Sequence, residues 1–507
     1  MSQLTSRRRW FAVGALTLSV LTIGFDITIM NVALPTMAAE LSTGTDGLQW
    51  IVNAYILVFA GLLLPFGAIA DRVGRRRILQ GGLAIFALAS LLAAWADSVG
   101  LVVGARALLG VGAAMIMPST LAALTGLFPP EERGKALSIV VMGMGAGVPL
   151  GPIIGGYLLE QFWWGSIFLV NVPIVVAAMI AIAVLLPESR DPHPPRTDVV
   201  GALLSTAGLM IFVYGVIEAP DLGWGDPLVL TALAVSGVLI AAFVWWELRT
   251  PQPMIDLSLF RGRQFLWGNI NATITSFALF GLLFVVPQYL QFVLGYDAFD
   301  SGVRLLPLIG GFVVGVGGGT RIAGRIGHRI PIVAGLLITT IGLVVGANTD
   351  MSSGYEFAAL WYAIAGLGIG AALTPSMDAV LAVLPPERAG SGTAITMTLR
   401  QAGGAVGVAL LGSLLSQTYV DGVDTTGLPQ AAADTVHDSV AGAVAVAARL
   451  ANPALVSTAQ SAYIDAENVV LYACAAVTLI GAILSIVFMP ARQAKHVDAA
   501  AESLTGR

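Results

Sequence analysis

The sequence predicts an all-α polytopic membrane protein with fourteen transmembrane helices. They form two six-helix halves related by a parallel repeat, plus two additional central helices. Three observations predict this. Only 11% of the 507 residues are charged and 57% are hydrophobic, with a mean hydropathy of +0.85, whereas a soluble chain carries about 25% charged residues. Apolar runs near bilayer-crossing length, about 20 residues as a helix, recur from end to end. Basic residues also gather in every second connecting segment, as membrane topology requires.

Taken in order, the spans run at about 10–34, 47–69, 78–96, 99–122, 134–159, 165–187 and 199–219. The remainder run at about 227–249, 264–292, 302–322, 330–348, 355–381, 390–414 and 466–490. The first follows Arg7, Arg8 and Arg9; it is too long for a signal-peptide core and has no small-residue cleavage site, so it reads as an uncleaved span. The third and fourth are separated by little more than "ADSVG", which predicts a tight helical hairpin.

With the N-terminus in the cytoplasm, the inner segments hold 21 of the 25 Lys and Arg residues; the other four are Arg106, Arg304, Arg400 and Arg449. Opposite segments are acidic, with Glu40, Asp46, Asp221, Asp226, Asp297, Asp300 and Asp350. A miscounted span would scramble the pattern. Both termini are therefore expected in the cytoplasm, in a multi-pass protein of the cytoplasmic membrane.

The expected divisions are a first half at 1–190, two central helices with linkers at 191–263, a second half at 264–490 and a tail at 491–507. The inner linker "ESRDPHPPRTD" reads as a simple connection. The long outer segment at 415–465 is Ala-rich, and its apolar pieces are too short to span, which predicts amphipathic surface helices. The lone cysteine, Cys474, excludes a disulfide within the chain and makes a cysteine-based metal site very improbable. "GVGGG" and "GAALTPS" lie inside spans and are not phosphate cradles; with no Walker motif, ATP is not expected to drive the protein. No Ser/His/Asp or metal-ligand constellation occurs, and His193, His328, His437 and His496 fall in loops or tails. No enzyme activity, cofactor, metal or nucleic-acid partner is expected.

An internal repeat organises the chain. "PSTLAALTGLFPPEERG" from Pro118 recurs as "PSMDAVLAVLPPERAG" from Pro375, at an offset of about 256 residues. Upstream, "DRVGRRR" is echoed by "GRIGHRI", pairing Gly74 with Gly327 at an offset of 253. Both copies keep one orientation. Transporters built this way place substrate between the repeats and rock one against the other.

"GAIADRVGRRR" (Gly67 to Arg77) resembles the inner-loop signature of the major facilitator superfamily. "RALLGVGAAMIMPS" (Arg106 to Ser119) and "GMGAGVPLGPIIGG" (Gly143 to Gly156) resemble its fourth-span and antiporter motifs. "DITIMNVALP" (Asp26 to Pro35) and "TLRQAGGAVGVALLGS" (Thr398 to Ser413) are similar to its fourteen-span drug:proton antiporters. The resemblance covers essentially the whole chain. It implies proton-driven efflux of drug-like molecules, a conformational gate at the inner loop, and a proton-linked arginine at Arg106. It also implies a leak-sealing role for Gly147, Gly151, Pro152, Gly155 and Gly156.

The residues carry readings of their own. Arg72, Arg75, Arg76 and Arg77 stand where topology alone wants positive charge, but Asp71 contributes little to orientation. An acid at that helix end can pair with Arg72 or Arg133, or cap a helix start, latching one state. The second half has Gly324 in place of the acid, so the latch is expected to be asymmetric.

Asp26 is the leading proton-coupling candidate, because a carboxylate inside a span costs at least about 2.5 kcal/mol. Arg106 lies at a matching depth, roughly 10–12 Å below the outer surface at about 1.5 Å per residue. A titratable switch and a fixed ion pair are both compatible with that placement. Asp378 is a second candidate, with Arg400 able to snorkel toward it. The glycines of the fifth span also suit close helix packing. Asn31, Asn53, Tyr55, Arg400 and Gln401 are candidates to line a substrate cavity, and Trp50, Trp163 and Trp164 suit an interfacial belt.

Three functions compete at this stage. The first is a proton-coupled exporter of hydrophobic or amphipathic drugs, expected to work as a monomer in the bilayer. The second is a symporter or a dedicated exporter of one metabolite. The third, a non-transporting sensor, has no need of the cost of Asp26 and Arg106. The scarcity of acids in the spans points to neutral, zwitterionic or monovalent substrates rather than dications.

Overall fold

A computed structural model describes residues 6–128, 130–190, 198–251, 253, 257–384 and 389–490. The tail at 491–507, most of the linker at 191–197 and the second "PPE" segment lie outside the described residues. Thirteen helices among the described residues are long and apolar enough to cross a membrane, and Pro130–Gln161 makes fourteen.

The first half comprises α1 (Ser6–Glu40), α2 (Thr45–Val73), α3 (Arg75–Ala94), α4 (Val99–Leu127), α5 (Pro130–Gln161) and a sixth span built from α6 (Ser166–Leu169) and α7 (Asn171–Leu185). Two central helices follow, α8 (Val199–Leu222) and α9 (Pro227–Arg249). The second half begins with α10 (Arg263–Gln288), which ends in a π-helical turn at Tyr289–Val293. It continues with α11 (Ala298–Arg304) leading into α12 (Leu306–Ile326), then α13 (Arg329–Gly346), α14 (Tyr355–Leu381) and α15 (Ala389–Gly422). After α16 (Gln430–Asp438) and α17 (Val440–Leu450), the last span is α18 (Pro453–Phe488).

The repeat is visible in the packing. In the first half α1 lies on α5 and α4 packs on α2 and α3; in the second, α10 lies on α15 and α14 packs on α12 and α13. Gly74 and Gly327, the paired glycines of the two inner loops, both take positive φ, 129° and 89°. α8 wedges against α2 and α15, and α9 packs on α8 with most of its surface facing outward. α9 is apolar nearly all round, which suits lipid on its free faces.

Several helices overrun their expected limits. α1 continues to Glu40 because Met37 and Ala38, beyond Pro35, are still buried against protein. α15 runs to Gly422 and α18 starts at Pro453, so the ends of the 415–465 segment extend two spans while its middle forms the short helices α16 and α17. Between them α16 and α17 bury Val436, Val440 and Val446. Trp163 is exposed as a belt residue should be, but Trp164 is buried and packs edge-on to Phe168.

The halves meet along α2 with α15 and along α5 with α11. Gln291 Nε2 donates to Val32 O at 3.0 Å and Thr45 Oγ1 to Asp438 O at 3.5 Å, both toward the face expected to be outer. There the backbones touch. A Cβ on Gly156 would sit 2.5 Å from Phe299 Cα and 2.6 Å from Ala298 O, and one on Gly302 would collide with Pro152 O. The halves are closed against each other at the face expected to be outer. Gly156→Val should prise α11 from α5, and a membrane-impermeant thiol reagent checks it on a Ser301→Cys background. Ser301 is fully buried and Cys474 is buried too; labelling of Cys at 301 should rise several-fold in the valine variant.

Candidate functional site

The centre of the first half is an ion pair. Asp26 on α1 and Arg106 on α4 are 0% and 1% exposed, with Arg106 Nη1 2.6 Å from Asp26 Oδ2. Asn171 Nδ2, at the start of α7, donates to Asp26 Oδ1 at 3.1 Å. Arg106 Nε donates to Ile51 O at 3.1 Å, and the guanidinium lies 4.5 Å over the Tyr55 ring. Four helices, α1, α2, α4 and α7, therefore converge on one ion pair. A buried charge without such partners would cost several kcal/mol.

Tyr55 belongs to this centre: it is wholly buried beneath Arg106 and does not line an open cavity in this state. Asn53 is also fully buried, with no hydrogen-bond partner for either amide atom among the described residues. Asn31 donates to Ile27 O within its own helix, and Gln401 Nε2 has no partner among the described residues.

α5 grips the same stretch of α1. A Cβ on Gly147 would stand 2.6 Å from Phe25 N, and Thr28 Oγ1 donates to Gly147 O at 3.4 Å. A Cβ on Gly151 would collide with the Thr28 hydroxyl, and one on Gly155 would press on Ile29. Glycine is needed at these positions because α1 and α5 run with their backbones in contact. Gly156, one residue on, faces the opposite half.

The inner loop departs from expectation. Asp71 pairs with Arg75, Oδ1 to Nη2 at 2.8 Å and to Nε at 2.9 Å, four residues on and within one half. Arg72 is exposed and joins no ion pair among the described residues, and the Arg133 side chain lies outside them. The acid that caps α3 is Glu188, which the sequence reading did not single out. It accepts from Arg76 N at 3.2 Å and stands 3.6 Å from Arg77 Nε, where the helix dipole favours negative charge. Its only signal in the sequence was an acid directly after the sixth span. Gly74 is required here: its φ of 129° is unfavourable to other residues, and a Cβ would meet Glu188 Oε1 at 2.6 Å.

Asp378 and Arg400 do not pair. Arg400 Nε donates to Ser276 Oγ at 3.3 Å, while Nη1 points at the sulfurs of Met377 and Met397 at 3.3 and 3.5 Å. Asp378, half-buried on α14, instead faces His328 at the neighbouring helix start. Burial holds the His328 imidazole below its usual range, with the Asp378 charge pulling the other way.

Two repeated helical halves, the first built on an intramembrane ion pair, have the architecture of a multi-span membrane transporter. The Major Facilitator Superfamily model matches residues 16–408, and the chain belongs to that family. It is 37% identical over 459 residues to the multidrug efflux pump LfrA of Mycolicibacterium smegmatis, covering 90% of each chain. It is 33% identical over 415 residues to the methyl viologen resistance protein SmvA of Salmonella typhimurium, covering 81% of this chain and 83% of that one. In fold it resembles the inward-facing, unoccupied structure of a bacterial homologue of the human lysosomal transporter Spinster. The TM-score is 0.68 at 18% identity, over 96% of this chain and 99% of that one.

Breaking the central pair should be costly. Asp26→Asn strands the Arg106 charge and should lower stability by about 3–5 kcal/mol. Adding Arg106→Gln should recover part of the loss, as read from thermal unfolding of the purified protein in detergent.

Proposed function

We propose that the chain is a proton-coupled antiporter that exports hydrophobic or amphipathic drugs across the cytoplasmic membrane by alternating access. It works as a monomer with both termini in the cytoplasm. One observation carries the reading: a fully buried carboxylate, Asp26, whose charge is held by a single guanidinium at 2.6 Å. Protonation of Asp26 removes the attraction to α4. Arg106 keeps its bond to Ile51 O and its place over Tyr55, but α1 is no longer tied to it by charge.

The turn of α1 that carries Asp26 is the turn on which Gly147 and Gly151 of α5 rest. A shift of α1 therefore passes to α5, and through Gly156 to α11 of the other half. A proton taken up on Asp26 from outside and released inside would be exchanged for substrate moving outward. Asp71 and Arg75, with Glu188 beside them, form the inner hinge: charge pairs that would have to rearrange when that side closes or opens. Relatives named for multidrug efflux and drug resistance support the substrate class.

Arg400 narrows that class. It pairs with no carboxylate among the described residues, and an uncompensated cation near the middle of the second half disfavours doubly charged cations. SmvA is named for resistance to methyl viologen, a dication, so the two indications differ and both probes belong in one experiment.

The test uses proteoliposomes with an internal pH dye and an imposed proton gradient. Adding tetraphenylphosphonium should drive proton movement through the native protein, more slowly with methyl viologen, and Asp26→Asn should abolish it with either. Undiminished flux in Asp26→Asn would place coupling elsewhere. No flux with any of a wide panel of drugs would favour a narrow metabolite exporter.

A further inference from the structure

The second half contains a buried acid that the account above does not use. Glu467 on α18 is 1% exposed, and both carboxyl oxygens are inaccessible and without a hydrogen-bond partner among the described residues. Around it stand Tyr289 from the π turn after α10, Tyr362 from α14 and Tyr463 one turn earlier on α18, all within electrostatic reach. Tyr463 donates to Val285 O at 2.9 Å, whereas the hydroxyls of Tyr289 and Tyr362 have no partner among the described residues.

The charged groups nearby are committed elsewhere. Arg304 pairs with Asp300 at 2.8 Å and lies 3.7 Å over the Tyr296 ring. Asp350, which acts on Tyr289, accepts from Ser352 and Ser353 in its loop. On the other packed elements, Arg449 of α17 is exposed, Tyr419 of α15 is buried, and the nearest polar pair recorded between α13 and α18 is Thr340 with Thr478, three turns along from Glu467.

Comparison of the two halves explains the arrangement. The first-half centre uses the first, fourth and sixth helices: Asp26, Arg106 and Asn171. The second-half cluster uses the same three: Tyr289, Tyr362 and Glu467. Arg106 and Tyr362 are each the eighth residue of their helices, which begin at Val99 and Tyr355. The acid has moved from the first helix to the sixth, and a tyrosine stands where the arginine was. Asp26 has a guanidinium at 2.6 Å to balance its charge. Glu467 faces hydroxyls, and a bare carboxylate in such surroundings would cost several kcal/mol, which binding a proton removes.

We propose that Glu467 is a second proton-binding site, a neutral carboxyl that holds an exchangeable proton at neutral pH and reaches a hydrogen bond to Tyr289 or Tyr362 only by a small side-chain rotation. Its use in transport rests on the antiporter reading; the bound proton itself does not. The site tests directly, without substrate or gradient, by infrared spectroscopy of the purified, reconstituted protein. A protonated-carboxyl band should be present at neutral pH, move in D₂O, fade reversibly at alkaline pH, and vanish in Glu467→Gln while surviving in Asp26→Asn. A band indifferent to Glu467→Gln, or one that never exchanges with D₂O, overturns the proposal. Should Glu467→Gln fail to fold, the Tyr289→Phe/Tyr362→Phe double variant keeps the acid; the band must then shift in frequency, and an unmoved band is equally fatal. Failure of proton antiport with this band intact would count against the transport reading alone.

Discussion

The structure depends on holding one charge pair, Asp26 and Arg106, inside an apolar bundle. In the bilayer core no water can solvate either group, so each needs its partners within hydrogen-bond distance. The sequence places them 80 residues apart, and the fold must bring α1, α2, α4 and α7 together before either charge is tolerable. That requirement fixes the first half as a unit. It also makes the pair a sensitive place for a proton to act, because a single protonation removes the attraction that the surrounding helices are arranged to satisfy.

Close backbone contact is the second constraint, and it connects the pair to the rest of the molecule. α5 lies against α1 through Gly147, Gly151 and Gly155, and against α11 through Gly156. A helix with larger residues there could not touch both. In lipid, where helices gain little from apolar burial against one another, such contact is a main source of association. The arrangement joins the Asp26 turn of α1 to the contact between the halves through one helix, with no long chain of polar residues between them.

Much of this was legible in the residues. The span count and the parallel repeat came from hydropathy, arginine placement and the "PPE" echo, because bilayer thickness and backbone satisfaction leave few alternatives. Gly74 and Gly327 were paired as repeat positions, and both prove to be positive-φ breaks, which the repeat alone did not announce. Asp26 and Arg106 were paired by depth, although the limit used for α1 fell short of Glu40; their contact depends on how the helices tilt and rotate, which no single-helix pattern contains. For the same reason Arg400 was aimed at Asp378 and Asp71 at Arg72, whereas the described residues pair Asp71 with Arg75 and leave Asp378 and Arg400 apart. Tyr55 read as a cavity residue, but its ring supports the guanidinium. Glu188 and the tyrosines around Glu467 were missed because their meaning comes from neighbours far away in sequence.

The most direct measurement of the central claim is the proton release that accompanies binding of a transported drug to purified protein in weakly buffered detergent solution. If Asp26 exchanges its proton for substrate, the native protein should release protons on binding and Asp26→Asn should release fewer. Equal release from both would show that the Asp26–Arg106 pair is a fixed structural tie and that coupling resides elsewhere.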